Sequence, residues 1–238
     1  MFNYSKKFTK VLLLSTTLTS ALVATSSTYA ERDKFAIGGN IGLSGFGLEG
    51  RTPIANKLYG RLGVNYFSYT YNTSGNDDNG NSELKYGLKL NLLTVPLMID
   101  FHPFENFGFR LSAGVAYNGN EIKGSFTPTQ NIILYGSTYT PQEAGSLTTT
   151  FKYKNKLAPI VSFGYDSSLM NNNLISFNFE AGIMYSGKAQ IKATATGLAS
   201  TQTQFLSDIN RDANASLNSV QKYLKFFPVV NLGIKFSF

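Results

Sequence analysis

The alternation of apolar and polar residues at the end of the chain is the feature that most constrains its fold. From Phe226 to Phe238 every second residue is apolar, and the positions between them include Asn231 and Lys235. A period of two is typical of a β-strand with one apolar and one mostly polar face. A soluble protein rarely exposes such a strand, because its free edge invites pairing with other chains. The segment therefore predicts the closing strand of a membrane β-barrel.

Residues 1–30 have the organisation of a secretory signal peptide. Three lysines precede an apolar run at 11–23, and Thr28-Tyr29-Ala30 offers small residues at the positions that a signal peptidase reads. The alternative is a membrane anchor. Several hydroxyl residues interrupt the run, which is also shorter than the roughly 20 residues of a spanning helix. We therefore expect cleavage after Ala30 and a mature domain over 31–238.

Composition narrows the remaining classes of protein. No continuous apolar run after residue 30 suits a spanning helix, so a membrane location requires β-structure. The 14 Tyr and 19 Phe, with no Trp, suit the interfacial girdles of a barrel. Loss of the signal peptide lowers the formal charge by three from +7, and no basic cluster with interleaved aromatics predicts a nucleic-acid partner. The absence of Cys excludes disulfides and thiolate metal sites, and we expect no cofactor.

Alternating segments follow one another along the mature chain. They lie at 35–54, 58–66, 84–101, 107–118, 147–165, 175–186 and 226–238. The alternation changes phase at Ser44-Gly45, which is either a turn or a β-bulge, and again at Leu92-Leu93, where we expect a bulge. Pro96, Pro159 and Pro228 each lack a ladder donor and would also require bulges. Without bulges, a soluble periplasmic β-protein becomes the competing interpretation.

The strand count and the loop lengths agree with each other. Seven segments become eight strands if Ser44-Gly45 is a turn, and a single-chain bacterial barrel has an even number. Both chain ends then lie on the periplasmic side. The short connections (55–57, 102–106, 166–173) fall on that side, and the long ones (73–82, 124–146, 192–223) fall outside. The sequence thus predicts an all-β fold, a transmembrane antiparallel up-and-down β-barrel of about eight strands.

The last long connection contains a different period. Phe205, Ile209, Leu217 and Leu224 belong to an apolar stripe that recurs every three or four residues between 199 and 223 or just beyond. This spacing predicts one amphipathic helix before the final strand. Its stripe must be buried against the barrel mouth, in the lumen, on lipid or on a partner, and we expect it to cap the mouth.

The pattern resembles the small Gram-negative outer-membrane barrels of the opacity-protein and OmpA-like type. The resemblance rests on the signal peptide, the Gly-rich hairpin Gly45–Gly50, the turn Asp100–Phe104 and the terminal Phe238. It implies residence among outer-membrane lipid and insertion by the barrel-assembly machinery, with Phe236 and Phe238 as the assembly signal. The type includes adhesins, structural barrels and narrow channels, so the resemblance leaves the function open.

Charged residues on the polar faces are the candidate site. If the apolar faces meet lipid, these side chains point into the lumen: Arg61, Lys85, Lys89, Asp100, Arg110, Glu180, Lys188 and Lys235. An eight-stranded barrel has little interior room beyond its side chains, and an unpaired buried ion costs several kcal/mol. We therefore expect a plug of paired charges, with Asp100 and Arg110 as one pair. The alternative is a narrow channel for ions or small apolar molecules.

An enzyme is the contrasting class, and the sequence argues against it. Its one histidine, His102, falls in a turn on the periplasmic side, where no base, orienting acid and nucleophile can be assembled at the outer face. Asp77 and Asp78 lie in a Gly/Asn-rich loop whose spacing matches no calcium loop. The outer loops, rich in Asn, Ser, Thr and Tyr, instead suit contact with a host or other extracellular ligand.

Overall fold

The computed structural model describes residues 35–76, 83–104, 107–134, 137–169, 174–201 and 203–238. The predicted signal peptide at 1–30 and the pair Asp77 and Asp78 lie outside the described residues.

Thirteen strands and three α-helices make up the described part of the chain. The strands are β1 (Ala36–Gly42), β2 (Gly45–Ala55), β3 (Leu58–Asn76), β4 (Glu83–Phe101), β5 (Phe109–Asn118), β6 (Glu121–Pro128), β7 (Ile132–Leu134), β8 (Ser137–Tyr139), β9 (Leu147–Tyr153), β10 (Leu157–Asp166), β11 (Ile175–Tyr185), β12 (Ala189–Ala195) and β13 (Phe226–Ser237). The helices are α1 (Pro141–Ala144), α2 (Leu198–Thr201) and α3 (Thr203–Leu224), and a 3₁₀ turn spans Ser167–Leu169.

Eight of the strands close into an antiparallel barrel, as the sequence predicts. Around the barrel their order is β1, β2, β3, β4, β5, β10, β11 and β13, and β13 pairs with β1 to complete the circle. The β1–β2 hairpin pairs Gly42 with Gly45, so the phase change near Ser44 is a turn. Gly45 has φ 99°, and a Cβ at this position would lie 2.5 Å from the Cβ of Phe67. Only glycine fits this turn.

The exterior of the barrel is an apolar belt. Alternate residues of every barrel strand are exposed and apolar, as in Leu48 (64%), Leu97 (56%) and Phe177 (65%). In water such a surface would be unstable, whereas a bilayer covers it. The connections agree, since the short turns lie at one end, called the inner end here, and the long ones lie at the opposite, outer end.

Beyond the barrel rim a second sheet rises at the outer end. The outer halves of β3 and β4 continue into it, and β6, β9 and β12 complete the order β12-β9-β6-β4-β3. We call this the outer sheet. The segments 73–76 and 124–128, predicted as loop, belong to its strands, and the β7–β8 hairpin and α1 occupy the rest of the connection up to residue 146.

The bulge predicted at Leu92-Leu93 is wrong. Leu62 pairs with Leu97, Tyr66 with Leu93 and Phe67 with Leu92, so β3 and β4 keep one register through the supposed slip. The apolar face therefore changes sides because its surroundings change. In the barrel, apolar residues of β4 face lipid. In the outer sheet, apolar residues such as Leu88 lie on the face that continues the barrel interior, where protein can cover them.

The three strand prolines also lie in unbulged registers. Pro96 lies in a two-residue interruption of the β3–β4 ladder, Pro159 one residue beyond the β10–β11 ladder, and Pro228 three residues beyond the β1–β13 ladder. Each is tolerated because one side of its strand has no ladder partner there. The predicted bulges are absent from these described positions, and the barrel register holds without them.

The helix expected in the last long connection is α3, which begins at Thr203 and ends at Leu224. No helix in the described ranges has both the length and the hydropathy of a membrane-spanning helix.

Candidate functional site

The inner half of the barrel encloses a cluster of eight buried charges. Glu49 and Arg51 come from β2, Arg61 from β3, Asp100 from β4, Arg110 from β5, Asp166 from β10, Glu180 from β11 and Lys235 from β13. Each is at most 7% exposed. Inward alternation on each strand brings them together, because apolar residues occupy the outward positions between them. We call this set the charge cluster.

Arg61 is the hub of the charge cluster. Its Nε donates to Asp100 Oδ2 at 2.9 Å and its Nη2 to Asp100 Oδ1 at 3.1 Å, a bidentate pair. The same guanidinium donates to Glu180 at 2.8 Å and 3.0 Å, and Nη1 lies 3.3 Å from Glu49 Oε2. One side chain thus connects three carboxylates from three different strands.

A second group of contacts is centred on Asp166. Its Oδ2 accepts from Arg51 Nη1 at 2.7 Å and from Lys235 Nζ at 2.9 Å. Lys235 also lies 2.9 Å from Glu49 Oε1, which joins the two groups. Arg110 sits between them, 3.5 Å from Asp100, 3.6 Å from Glu180 and 4.0 Å from Asp166.

The charges of the cluster balance. Four cations (Arg51, Arg61, Arg110, Lys235) face four carboxylates (Glu49, Asp100, Asp166, Glu180), and every one takes part in at least one ion pair. Pairing and hydrogen bonding offset the desolvation that would otherwise exclude these ions from a dry interior. The cluster connects seven of the eight barrel strands.

The structure brings five of the eight predicted residues into the cluster: Arg61, Asp100, Arg110, Glu180 and Lys235. It does not bring Lys85, Lys89 or Lys188 there. Lys85 and Lys89 lie on the outward face of the outer sheet, because the β4 register is uninterrupted, and Lys188 is exposed in the β11–β12 connection.

Three members of the cluster were missed by sequence reasoning. Glu49 and Arg51 alternate with outward residues in β2, and this parity could have identified them. Asp166 was placed in a turn, although it ends the alternating segment of β10. The proposed assembly-signal residues Phe236 and Phe238 lie on the outward face, 45% and 67% exposed, and the Phe238 N–H donates to Phe35 O at 2.9 Å.

An apolar layer lies above the charge cluster, toward the outer end. Met98, Ile160, Met184 and Val229 pack there with two alanines, and Phe227 lies against them. A cavity of about 20 Å³, the volume of about one water, separates this layer from the charges and is lined by Arg61, Glu180 and Met98 among others.

His102 lies at the inner end, just beyond β4. It is 2% exposed, and its ring packs edge-on against Tyr59 at a centroid distance of 5.0 Å. The Arg51 guanidinium lies 4.8 Å from the centre of the same Tyr59 ring. Burial and the nearby positive charge of Arg51 lower the pKa of His102 to about 4. The imidazole is therefore neutral near pH 7.

Helix α3 covers half of the inner face of the outer sheet. Leu217 and Leu224 pack against Tyr153 and Ala189, so the described part of the predicted stripe is buried on β9 and β12; the side chains of Phe205 and Ile209 lie outside the described residues. The helix thus packs on the sheet above the mouth, whereas the sequence predicted that it would cap the mouth.

Two asparagines of α3 bind the free edge of β12. Asn214 Oδ1 accepts from the Ile191 N–H at 3.2 Å and its Nδ2 donates to Ile191 O at 2.9 Å. Asn210 Oδ1 accepts from the Ala193 N–H at 2.8 Å, and its Nδ2 lies 3.4 Å from Ala193 O. Residues four apart on a helix and two apart on a strand are separated by similar distances, about 6 Å, so the amides replace a missing strand.

These features define the class of protein. A closed eight-stranded antiparallel barrel with an apolar exterior and a charged interior is an outer-membrane β-barrel of the small, OmpA-like type, and its belt places it in an outer membrane.

Comparison with solved structures agrees with this fold. The crystal structure of Acinetobacter baumannii CarO2 is similar, with 20% identity, a TM-score of 0.52 and coverage of 87% of this chain and 99% of that chain. Acinetobacter baumannii CarO gives 18% identity, a TM-score of 0.52 and coverage of 87% and 98%. A major outer membrane protein from Thermus thermophilus gives 16%, 0.42, 86% and 98%. No family model and no curated protein sequence matches the chain.

Proposed function

We propose that the protein is a structural outer-membrane barrel with a closed lumen, whose outer sheet serves surface interaction. The observation that carries the proposal is the neutral charge cluster, which joins seven strands across the interior. Arg61 alone bridges carboxylates of β2, β4 and β11, so its side chain occupies the centre of the lumen. A path for ions would have to displace it.

Two properties of the interior support closure. The cluster has four charges of each sign, so it offers no net field to attract a permeating ion. The layer of Met98, Ile160, Met184 and Val229 then adds an apolar constriction, and such constrictions resist hydration. Interiors of eight-stranded barrels are generally filled by side chains.

A non-catalytic role is part of the proposal. The imidazole of His102 is packed against Tyr59, and neither ring nitrogen has a hydrogen-bond partner among the described residues, so no orienting acid prepares it as a base. We further propose that residues 1–30 are removed on export and that the barrel-assembly machinery recognises Phe236 and Phe238 at the end of β13.

Conductance in a planar bilayer tests closure. Folded protein, verified by its slower gel migration after boiling, should give no discrete current steps. The double variant Arg61→Ala with Glu180→Ala removes the hub and one carboxylate while keeping three charges of each sign, and it should conduct. Phe163→Ala, on the lipid-facing side of β10, should remain silent. Reproducible steps from the unaltered protein would instead make it a narrow channel.

A further inference from the structure

The half of the outer sheet that α3 leaves uncovered forms a groove. It lies on the inner face and is lined by Tyr71 and Thr73 of β3, Tyr86 and Leu88 of β4, Phe126 of β6 and Leu147 of β9, with a volume of about 270 Å³. We call it the aromatic groove. Among the described residues nothing covers it, and Tyr71, Leu88 and Phe126 are 52%, 49% and 39% exposed. Contiguous exposed apolar groups of this kind mark interaction sites.

The walls of the aromatic groove are ordered by contacts between rings. Tyr86 and Phe126 are register partners on neighbouring strands, and their rings meet edge-on at a centroid distance of 5.4 Å. Tyr71 is the partner of Leu88 on the other side of β4. The three strands therefore hold the rings in fixed positions on a rigid sheet, which lowers the entropic cost of binding.

Gly124 provides the floor of the groove. It pairs with Leu88, and a Cβ at this position would lie 3.0 Å from Thr149 Oγ1. A side chain here would fill the space between the rings. The glycine thus keeps the groove open next to its aromatic walls.

The lining sets the chemistry of a ligand. No charged side chain lines the groove, and Ser125 and the two threonines contribute hydroxyls only. Lys85, Lys89 and Lys123 lie on these same strands but at the alternate positions, facing away. A charged ligand would lose its hydration without gaining a partner. A saccharide would leave most of its hydroxyls without partners.

We propose that the aromatic groove binds a small uncharged aromatic or hydrocarbon molecule. The volume lies just below the roughly 300–1,000 Å³ of drug-sized ligand pockets, which indicates a ligand of one or two rings. The assignment rests on the proposed surface role of the outer sheet, but it is independent of closure, because the groove lies beyond the barrel.

Indole is a suitable probe, because the chain contains no Trp and indole emission can be excited apart from its tyrosines. Folded protein in non-fluorescent detergent micelles is titrated with indole and, separately, with negatively charged indole-3-acetate. Three variants are compared in identical micelles: Gly124→Val, which fills the floor, Tyr71→Ala, which removes an exposed wall, and the control Thr127→Val, on the opposite face of β6.

Saturable indole binding, weakened at least about tenfold by Gly124→Val and by Tyr71→Ala but unchanged in Thr127→Val, is the expected result. Binding of indole-3-acetate should be weaker than that of indole. Absence of saturable binding to the unaltered protein, or equal loss in Thr127→Val, would overturn the proposal. Retained binding in Tyr71→Ala, whose exposed side chain makes misfolding an unsuitable explanation, would do the same. Current steps in a bilayer would overturn closure and leave this site intact.

Discussion

At the residue scale, the barrel interior is decided by which side chains alternate inward. Arg61 meets three carboxylates and Asp166 meets two cations, so each charge depends on partners from distant parts of the sequence. Removing one partner leaves a buried ion uncompensated, which costs far more than an exposed pair contributes.

Arg110→Ala should destabilise the folded barrel by roughly 3 kcal/mol or more, because Asp100, Glu180 and Asp166 each lose a nearby positive charge in a dry interior. The measurement is the urea concentration at which the slow-migrating folded band disappears. Lys85→Ala, an exposed lysine of the outer sheet, is the matched control and should leave that midpoint in place. A midpoint unchanged in Arg110→Ala would refute the pairing.

His102 gives the fold a dependence on pH. Its folded pKa of about 4 lies below the unfolded value near 6.5, so the unfolded chain binds more protons between these two pH values. Stability contributed by neutral His102 is present above pH 6.5 and is lost as pH falls toward 4, by up to about 3 kcal/mol. His102→Phe keeps the ring against Tyr59 and removes the proton.

Urea unfolding of both proteins across pH 4–7 checks this. The carboxylates contribute equally to both curves, so the difference in stability between the unaltered protein and His102→Phe isolates the histidine. That difference should widen in favour of the variant as pH falls. Parallel curves would contradict the assignment.

At the element scale, α3 protects the outer sheet from its own edge. Its asparagine amides at positions 210 and 214 bind the backbone of β12 at Ile191 and Ala193, as a neighbouring strand would. Free strand edges promote aggregation, and natural sheets usually cover or charge them. Leu217 and Leu224 hold the helix in place by packing on the sheet face.

The double variant Asn210→Ala with Asn214→Ala should expose this edge. Each lost backbone hydrogen bond costs about 1 kcal/mol, so the amides of β12 should exchange with deuterium several-fold faster. Hydrogen-exchange mass spectrometry of a peptide covering 189–195 provides the measurement. Asn218→Ala, one turn further along α3 and exposed, is the control and should not change the exchange. Equal exchange in all three proteins would argue that the helix binds by its apolar stripe alone.

At the scale of the whole molecule, the barrel and the outer sheet are separable. The eight barrel strands close on themselves, whereas β6, β9 and β12 add only to the extension. Tyr185 and Phe226 are register partners at the outer ends of β11 and β13, and the Ser186 N–H donates to Lys225 O at 2.7 Å. The chain leaves and re-enters the barrel at adjacent points.

Replacement of residues 187–224 by Asn-Gly should therefore convert β11 and β13 into a hairpin and leave the barrel folded, because this dipeptide favours a two-residue turn. Slower gel migration after boiling and an unchanged far-ultraviolet strand signal in detergent test the prediction. Loss of the folded band would show that α3 is needed to close the barrel. As a control, deletion of β13 itself should abolish folding.

The sequence by itself determined the barrel, its strand number and its orientation. Alternation in segments such as 226–238 and 107–118 reflects a local demand, since each strand must present one face to lipid. Parity and loop length then fixed which ends lie together. The inward residues Arg61, Asp100, Arg110, Glu180 and Lys235 follow from the same alternation.

Tertiary structure alone decided the rest. The phase change at Leu92-Leu93 reads as a bulge in one dimension, but it marks the height at which lipid ends and the inner face of the outer sheet becomes the apolar side. Lys85 and Lys89 leave the predicted set for this reason. The pairing of Asp166 with Arg51 and Lys235, and of α3 with β12, joins residues far apart in sequence. Such partners are chosen by the closed register, which no local pattern encodes.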